Sequence, residues 1–320
     1  MKKNKIKDTG LEITELSFGT SSLGSMPDTY GYEVSEDRAQ KTLNRFFQGP
    51  VNMLDTSRNY AMGESEKRIG RAIKENGGWP KDLLLSTKLD RDMDTLVLDK
   101  NRARESLEES LKTLNVDSVD ILFLHDPEYA KDITDITKKD GAMDELFKIK
   151  NEGLAKAVGV AMGKVDIMFP LLKDWDFDVI INHNRYTLLN REANEMYDYA
   201  YSKNIAIFNA APYAGGVLAK GPDNFKKITY QDASEEKLAP AREFEKVCKK
   251  YNVEMGAAAL QFSLRDKRIA STICGVTSIE SIEKNLEWAN CEISLEFWEE
   301  VLKLPFSSKD PESDRIFTPG

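Results

Sequence analysis

Histidine is nearly absent from this chain, with His125 and His183 the only two in 320 residues. That scarcity argues against catalytic or structural metal sites built on several imidazoles, and no metal is expected. Cysteine is equally sparse. Cys248, Cys274 and Cys291 form no CxxC pair and have no neighbouring histidine, so they read as reduced, structural thiols. No apolar run approaches the ~18 residues that span a bilayer. The opening MKKNKIKDTGLEIT is basic but lacks an apolar signal core, so the reading is a cytoplasmic protein with no membrane partner. Glycine (19) and proline (11) are too few for collagen-like or low-complexity chains, and 41% hydrophobic residues predict a folded core. Acidic residues outnumber basic ones, 54 to 45, and the net charge of −9 excludes nucleic acid as an expected partner. Several chemical signatures are missing too: no Walker loop, GxSxG elbow, HExxH or EF-hand loop occurs.

What is present alternates between two periods. Short apolar runs lie at residues 51–55 (VNMLD), 83–88 (LLLSTK), 119–125 (VDILFLH), 156–160, 179–182, 205–209 and 269–274, with an eighth at 15–19 (ELSFG). Near-continuous apolarity of this kind marks strands buried on both faces. Between them the spacing turns helical. Leu107, Leu111 and Leu114 share one side of a helix over 102–115, and a helix over 66–76 stops at Gly77-Gly78. Further helices are predicted at 36–47, 141–151, 165–173, 191–203, 236–252, 255–265 and 279–288. Eight βα units predict a (β/α)8 TIM barrel. Its rival, a doubly wound dinucleotide fold, would show GxGxxG at the first βα junction, where Gly19-Thr20-Ser21-Ser22-Leu23-Gly24 stands instead. Length alone allows one domain or two, and the βα count favours one over residues 1–320. An N-terminal hairpin (1–14) turning at Asp8-Thr9-Gly10, extra helices near the C-terminus and a tail (306–320) complete it.

In such a barrel the carboxyl ends of the strands share one mouth. Asp55, Lys88 and His125 end three successive strand patterns, and Tyr60 follows Asp55 by five residues. Taken singly, each has an ordinary structural role as a cap, a solvated tip or a buried imidazole. Together they suit proton transfer at a carbonyl or hydroxyl oxygen. A tyrosine titrates near ~10, too high for work at neutrality, and the Lys88 ammonium would favour its phenolate. Asp55 would keep that ammonium charged, and His125 would orient the substrate oxygen.

These residues resemble the aldo-keto reductase superfamily. The resemblance is carried by Leu54-Asp55-Thr56-Ser57-Arg58-Asn59-Tyr60, Gly63-Glu64-Ser65-Glu66, Ser86-Thr87-Lys88, residues 117–125, Asn184-Arg185-Tyr186 and Ala211-Pro212-Tyr213-Ala214-Gly215-Gly216, across roughly residues 10–290. It implies an oxidoreductase barrel holding NAD or NADP across its mouth, with the tetrad Asp55, Tyr60, Lys88 and His125 and with Tyr60 as general acid or base. Leu124-His125-Asp126-Pro127-Glu128 and Asn209-Ala210-Ala211-Pro212-Tyr213 are similar to the sugar-oxidising branch that includes L-fucose dehydrogenase and D-threo-aldose 1-dehydrogenase. The implied reaction oxidises a cyclic aldose at C1 to a lactone. A general NADPH-dependent aldehyde or ketone reductase is the near alternative, and a cofactor-binding regulatory subunit the distant one.

The resemblance assigns cofactor contacts to Gly19, Thr20, His183, Ala211, Pro212, Tyr213, Gly215, Gly275, Val276, Thr277 and Asn285. Arg58, Asn59, Asp126 and Tyr30, with Tyr32, are the nominated substrate contacts for a small sugar or carbonyl compound. Departures are equally informative. Ala161-Met162 and His183 stand where many members hold the carboxamide with Ser-Asn and Gln, and Ala210 replaces the aromatic that stacks on the nicotinamide, leaving Phe208 or Tyr213 as substitutes. After the eighth strand, the amides of Gly275-Val276-Thr277-Ser278-Ile279-Glu280 are expected to meet a phosphate at a helix N-terminus. Members that prefer NADP carry Lys and Arg there. Gly275 and Ser281 occupy those positions, forfeiting charge-assisted bonds of ~1.5–3 kcal/mol each, so NAD is expected to serve at least as well as NADP, although Lys284 lies one turn on. The loop at 216–234 reads either as a cover for the cofactor or as a mobile surface loop, and the tail either as part of the mouth or as disorder. A monomer or small homo-oligomer is expected.

Overall fold

The computed structural model describes residues 1–313. Strands β1 (Lys3–Ile6) and β2 (Leu11–Thr14) form an antiparallel hairpin, followed by β3 (Leu16–Gly19), β4 (Met53–Asp55), β5 (Leu84–Leu89), β6 (Val119–His125), β7 (Ala155–Met162), β8 (Val179–His183) and β9 (Ala206–Ala210). A two-residue pair, β10 (Lys227–Ile228) with β11 (Gln231–Asp232), precedes β12 (Ile269–Gly275). Eight of these strands, β3 to β9 and β12, close into a parallel barrel as the βα count predicts. Every predicted strand and helix is found, with bounds shifted by up to three residues. The pair β10–β11 and the helix Leu295–Val301 carry too little periodicity to have been placed.

Period two explains how the strands aim their side chains. Met53, Leu84, Ile121, Phe123, Ala157, Val179, Ile181, Ala206, Phe208 and Ile273 fill the barrel interior, and Ile6, Leu11 and Ile13 of the hairpin plug its lower end. Counting on in twos from Met53, Leu84, Ile121 and Val179 gives Asp55, Lys88, His125 and His183. The last inward layer is therefore polar and sits at the carboxyl end. Gly159, between Ala157 and Ala161, has no substitute, because a Cβ there would lie 1.7 Å from the Val179 carbonyl oxygen.

The alternate face of each strand packs on the helices in a second apolar layer that includes Leu85, Leu122, Leu124, Val158, Val160, Ile180 and Ile207. Each fully buried aliphatic side chain contributes about 1.5–3 kcal/mol relative to exposure. The helices are locally well specified. Ser35, Asp99 and Ser234 cap Glu36–Phe47, Lys100–Leu114 and Glu235–Tyr251 by accepting from the Arg38, Arg102 and Lys237 amides. Glu64–Glu75 ends as its glycines predict: the Gly78 amide donates to Ile73 O at 2.9 Å, with Gly77 at φ +80°. Among the described residues no helix is long and apolar enough to cross a membrane.

The tail, as far as it is described, packs on the barrel. The Arg191 amide donates to Ser307 O at 2.8 Å, and buried Arg185 meets Asp310 at 2.6 Å and Glu312 at 3.3 Å. The remainder of the expected tail, 314–320, lies outside the described residues.

Candidate active site

The end of β4 and the loop after it decide where Tyr60 stands. Asp55 is the last residue of β4, and the chain then turns through Ala61 and Met62, both left-handed at φ 52° and 54°. Non-glycine residues seldom adopt this region. The turn brings the Tyr60 hydroxyl back over the mouth, 3.1 Å from Lys88 Nζ. That ammonium also donates to Asp55 Oδ2 at 2.8 Å and to the Thr56 carbonyl oxygen at 2.6 Å. All three of its protons are thereby used. Ser86 Oγ donates to the other oxygen of Asp55 at 2.9 Å, which orients the carboxylate. The His125 ring stands edge-on to Tyr60 with centroids 5.7 Å apart. The four residues expected to act together are one cluster.

Its electrostatics differ from the sequence reading in one respect. Burial, reinforced by Asp55, Tyr30, Asp126 and Asp90, raises the Tyr60 phenol well above its ordinary range, so burial outweighs the Lys88 ammonium here. The Lys88 ammonium instead donates to the phenol oxygen, which leaves the phenol proton free to point into the cavity. His125 moves the other way from a simple buried imidazole. Burial alone would lower it, yet Asp126 and Asp90 hold it above its ordinary value.

A cavity of about 680 Å³ opens from this cluster and runs across the barrel mouth to the helix Ile279–Asn290. Of the expected cofactor contacts, Gly19, His183, Ala211, Tyr213, Gly215, Gly275, Thr277 and Asn285 line it. Thr20, Pro212 and Val276, expected with them, are buried behind the wall, Thr20 Oγ1 donating to Asp55 O at 2.9 Å. Asn59, Asp126, Tyr30 and Tyr32 line the end beside the tetrad. Arg58 does not. It turns outward to Glu109, 3.0 Å away, because the loop that returns Tyr60 to the mouth carries Arg58 to the outer side.

Of the two proposed aromatic substitutes, Phe208 is fully buried and packs on Phe123 with centroids 6.2 Å apart, so it cannot face a ligand. Tyr213 is on the cavity wall, where its hydroxyl meets Asn285 Oδ1 at 2.5 Å. The phosphate-binding expectation also changes. Ser281 Oγ accepts from the Thr277 and Ser278 amides, each at 3.0 Å, and Ser278 Oγ accepts from the Ser281 amide at 3.2 Å. This reciprocal cap consumes donors that the sequence seemed to offer an anion, and Glu280 adds a negative charge in the same turn. Lys284 is held by Glu254 at 2.8 Å and Glu287 at 3.0 Å.

Part of the loop at 216–234 forms the cavity wall. Gly216, Lys220, Phe225 and Tyr230 line the cavity, and Tyr230 meets Tyr30 edge to face at 5.9 Å across it. Sequence reasoning missed Asp90, Arg38, Arg91, Lys220 and Trp288, all on the cavity wall. Only Asp90 carried a usable signal, since it continues the inward period two residues beyond Lys88. An elongated cavity with a polar reaction end, a wall of small residues (Ala161, Ala210, Gly215, Gly275) and a capped helix at its far end has the shape for an extended dinucleotide.

The family model described as the Aldo/keto reductase family matches residues 15–304. The chain is 31% identical over 283 residues to the L-galactose dehydrogenase of Arabidopsis thaliana, spanning 87% of this chain and 85% of that protein. It is 28% identical over 319 residues to the D-threo-aldose 1-dehydrogenase of a Pseudomonas species, spanning 91% and 94%. Among solved structures, an aldo-keto reductase of Bacillus halodurans in its holo form matches with a TM-score of 0.79 over 99% of this chain and 100% of that one. At 21% identity that likeness speaks for the fold.

Proposed function

The chain belongs to the aldo/keto reductase family, as an oxidoreductase barrel that works with a nicotinamide cofactor, and from that premise we propose that it oxidises a cyclic aldose at C1 to the lactone. An L-fucose-like sugar is the proposed substrate. The observation that carries the redox reading is the Lys88 ammonium shared between Asp55, Thr56 O and the Tyr60 hydroxyl. The sugar reading rests on the relatives' chemistry and on hydroxyl-binding groups gathered beside Tyr60: Asn59, Asp126, Tyr30 and Tyr32. Asp126 Oδ1 is buried and has no hydrogen-bond partner among the described residues, which suits a sugar hydroxyl as donor.

A nicotinamide held along the cavity wall by residues such as Gly19, Ala211, Gly275 and Asn285 would supply the hydride chemistry. The protein handles the proton. In oxidation the C1 hydroxyl proton is taken up by the pair Tyr60 Oη and His125 Nε2, coming to rest on the neutral imidazole, while Lys88 fixes the phenol and Asp55 neutralises Lys88. NAD is proposed to serve at least as well as NADP, supported by the self-capped helix and by Glu280.

The test is nicotinamide reduction by the purified protein with NAD and L-fucose, D-arabinose or L-galactose. Reduction with one or more of these sugars is expected. Reduction with none of them, alongside NADPH-dependent turnover of simple aldehydes, would replace the sugar reading with a general carbonyl reductase.

A further inference from the structure

Asp90 is the most deeply buried carboxylate at the mouth, fully enclosed just beyond the end of β5. An ionised carboxylate in such a place persists only with donors around it. It has three. His125 Nδ1 lies 2.5 Å from Oδ1, while Ser57 Oγ at 2.6 Å and the Asn59 amide at 3.1 Å donate to Oδ2. The Ser106 hydroxyl, 2.9 Å from the Asp90 amide, pins the backbone at this point. Lys88 is committed elsewhere, to Asp55, Thr56 and Tyr60, so Asp90 is free to serve the imidazole.

We propose that Asp90 is a positioning residue for the reaction, holding His125 by its Nδ1–H so that Nε2 is the nitrogen presented to the substrate oxygen. The site then contains two buried carboxylates flanking one reactive oxygen: Asp55 behind Lys88 and Tyr60, and Asp90 behind His125. In the neutral ring the bond to Asp90 fixes the tautomer, leaving Nε2 as an acceptor for the sugar hydroxyl. In the charged ring Nε2 donates to a carbonyl oxygen instead.

Other charges face the same ring. Asp126 Oδ2 is 3.8 Å from Nε2, and Lys88 acts against the imidazolium from the Tyr60 side, while Glu66 lies near enough to sense Asp90. Asp126 is partly exposed at the mouth and faces the substrate, whereas Asp90 is sealed behind the ring. Asp90 itself is held below its ordinary value: burial would raise it, and His125 with Ser57 overcomes that. The proposal rests on His125 acting at the substrate oxygen, and it holds for a sugar or any other carbonyl substrate.

The near absence of histidine makes the test direct. With two imidazoles in the chain, His183→Gln assigns the His125 resonance, and its NMR titration can be followed in Asp90→Asn. The expected result is a lower His125 midpoint in Asp90→Asn. The acid limb of the oxidation rate should move down with it, and kcat should fall by about 10²-fold, the lower end of a general acid or base contribution. Asp90→Glu, which keeps the charge, should restore part of kcat and most of the midpoint. Asp90→Ser, also neutral and smaller, should shift the midpoint the same way if Asp90→Asn folds poorly. An unmoved His125 midpoint in Asp90→Asn, or in Asp90→Ser where that variant must stand in, would overturn the proposal whatever happens to kcat. Failure of the sugar assay leaves this titration unaffected, so the two readings fail separately.

Discussion

Glu66→Gln should stabilise the protein in alkaline solution and do little in acid. Glu66 lies on the helix Glu64–Glu75 beneath the mouth and is fully buried, its Oε1 accepting from Thr87 Oγ1 at 2.6 Å. Burial dominates its titration, and although the Thr87 and Ser110 hydroxyls favour the charged form, the carboxyl is pushed from an ordinary 4.5 up to about 7. A carboxyl whose folded value lies above its unfolded one stabilises the fold fully below the unfolded value. That contribution is lost as pH rises through about 7. At about 1.4 kcal/mol per pH unit, the rise from 4.5 to about 7 corresponds to ~3 kcal/mol. Urea unfolding of wild type and Glu66→Gln at about pH 4.5 and 8.5 should show the variant's relative stability growing by ~3 kcal/mol toward high pH. A difference that stays flat with pH would refute the assignment of a neutral Glu66 at the heart of the β5 end.

Arg185→Met should cost about 3–5 kcal/mol in unfolding free energy, because Glu312 and Asp310 would lose their buried cation, and a loss under 1 kcal/mol would show that the clasp is immaterial. The ratio of kcat/KM for NAD over NADP should be one or greater, and Glu280→Lys should move it toward NADP by placing a cation in the first turn of Ile279–Asn290. An enzyme already strongly selective for NADP would contradict the account of the self-capped helix.

Much of the fold was legible because buried parallel strands and amphipathic helices leave different periods in the chain, and the βα alternation fixes the barrel. The tetrad was legible for the same reason: Asp55, Lys88 and His125 end inward-facing strands, so residue type and period point to one mouth. What was not legible depends on side chains that choose among partners. Arg58 looked like a substrate contact beside Tyr60, but it pairs with Glu109 on the outer side instead of lining the cavity. Ser281 looked like a missing cation and proves to be a cap that uses up nearby amides. Phe208 and Tyr213 are both aromatic and five residues apart, yet only the second reaches the cavity, since the period places Phe208 in the interior. Asp90 was passed over although it continues the inward count from Lys88.

The central claim is that Tyr60 handles the proton at the substrate oxygen, and Tyr60→Phe tests it most directly. The six-membered ring stays to fill its place, and only the hydroxyl 3.1 Å from Lys88 is removed. Single-turnover hydride transfer with NAD and the best sugar should fall by about 10²–10⁴-fold. Cofactor affinity, read by fluorescence titration, should change little. Undiminished turnover in Tyr60→Phe would contradict the account.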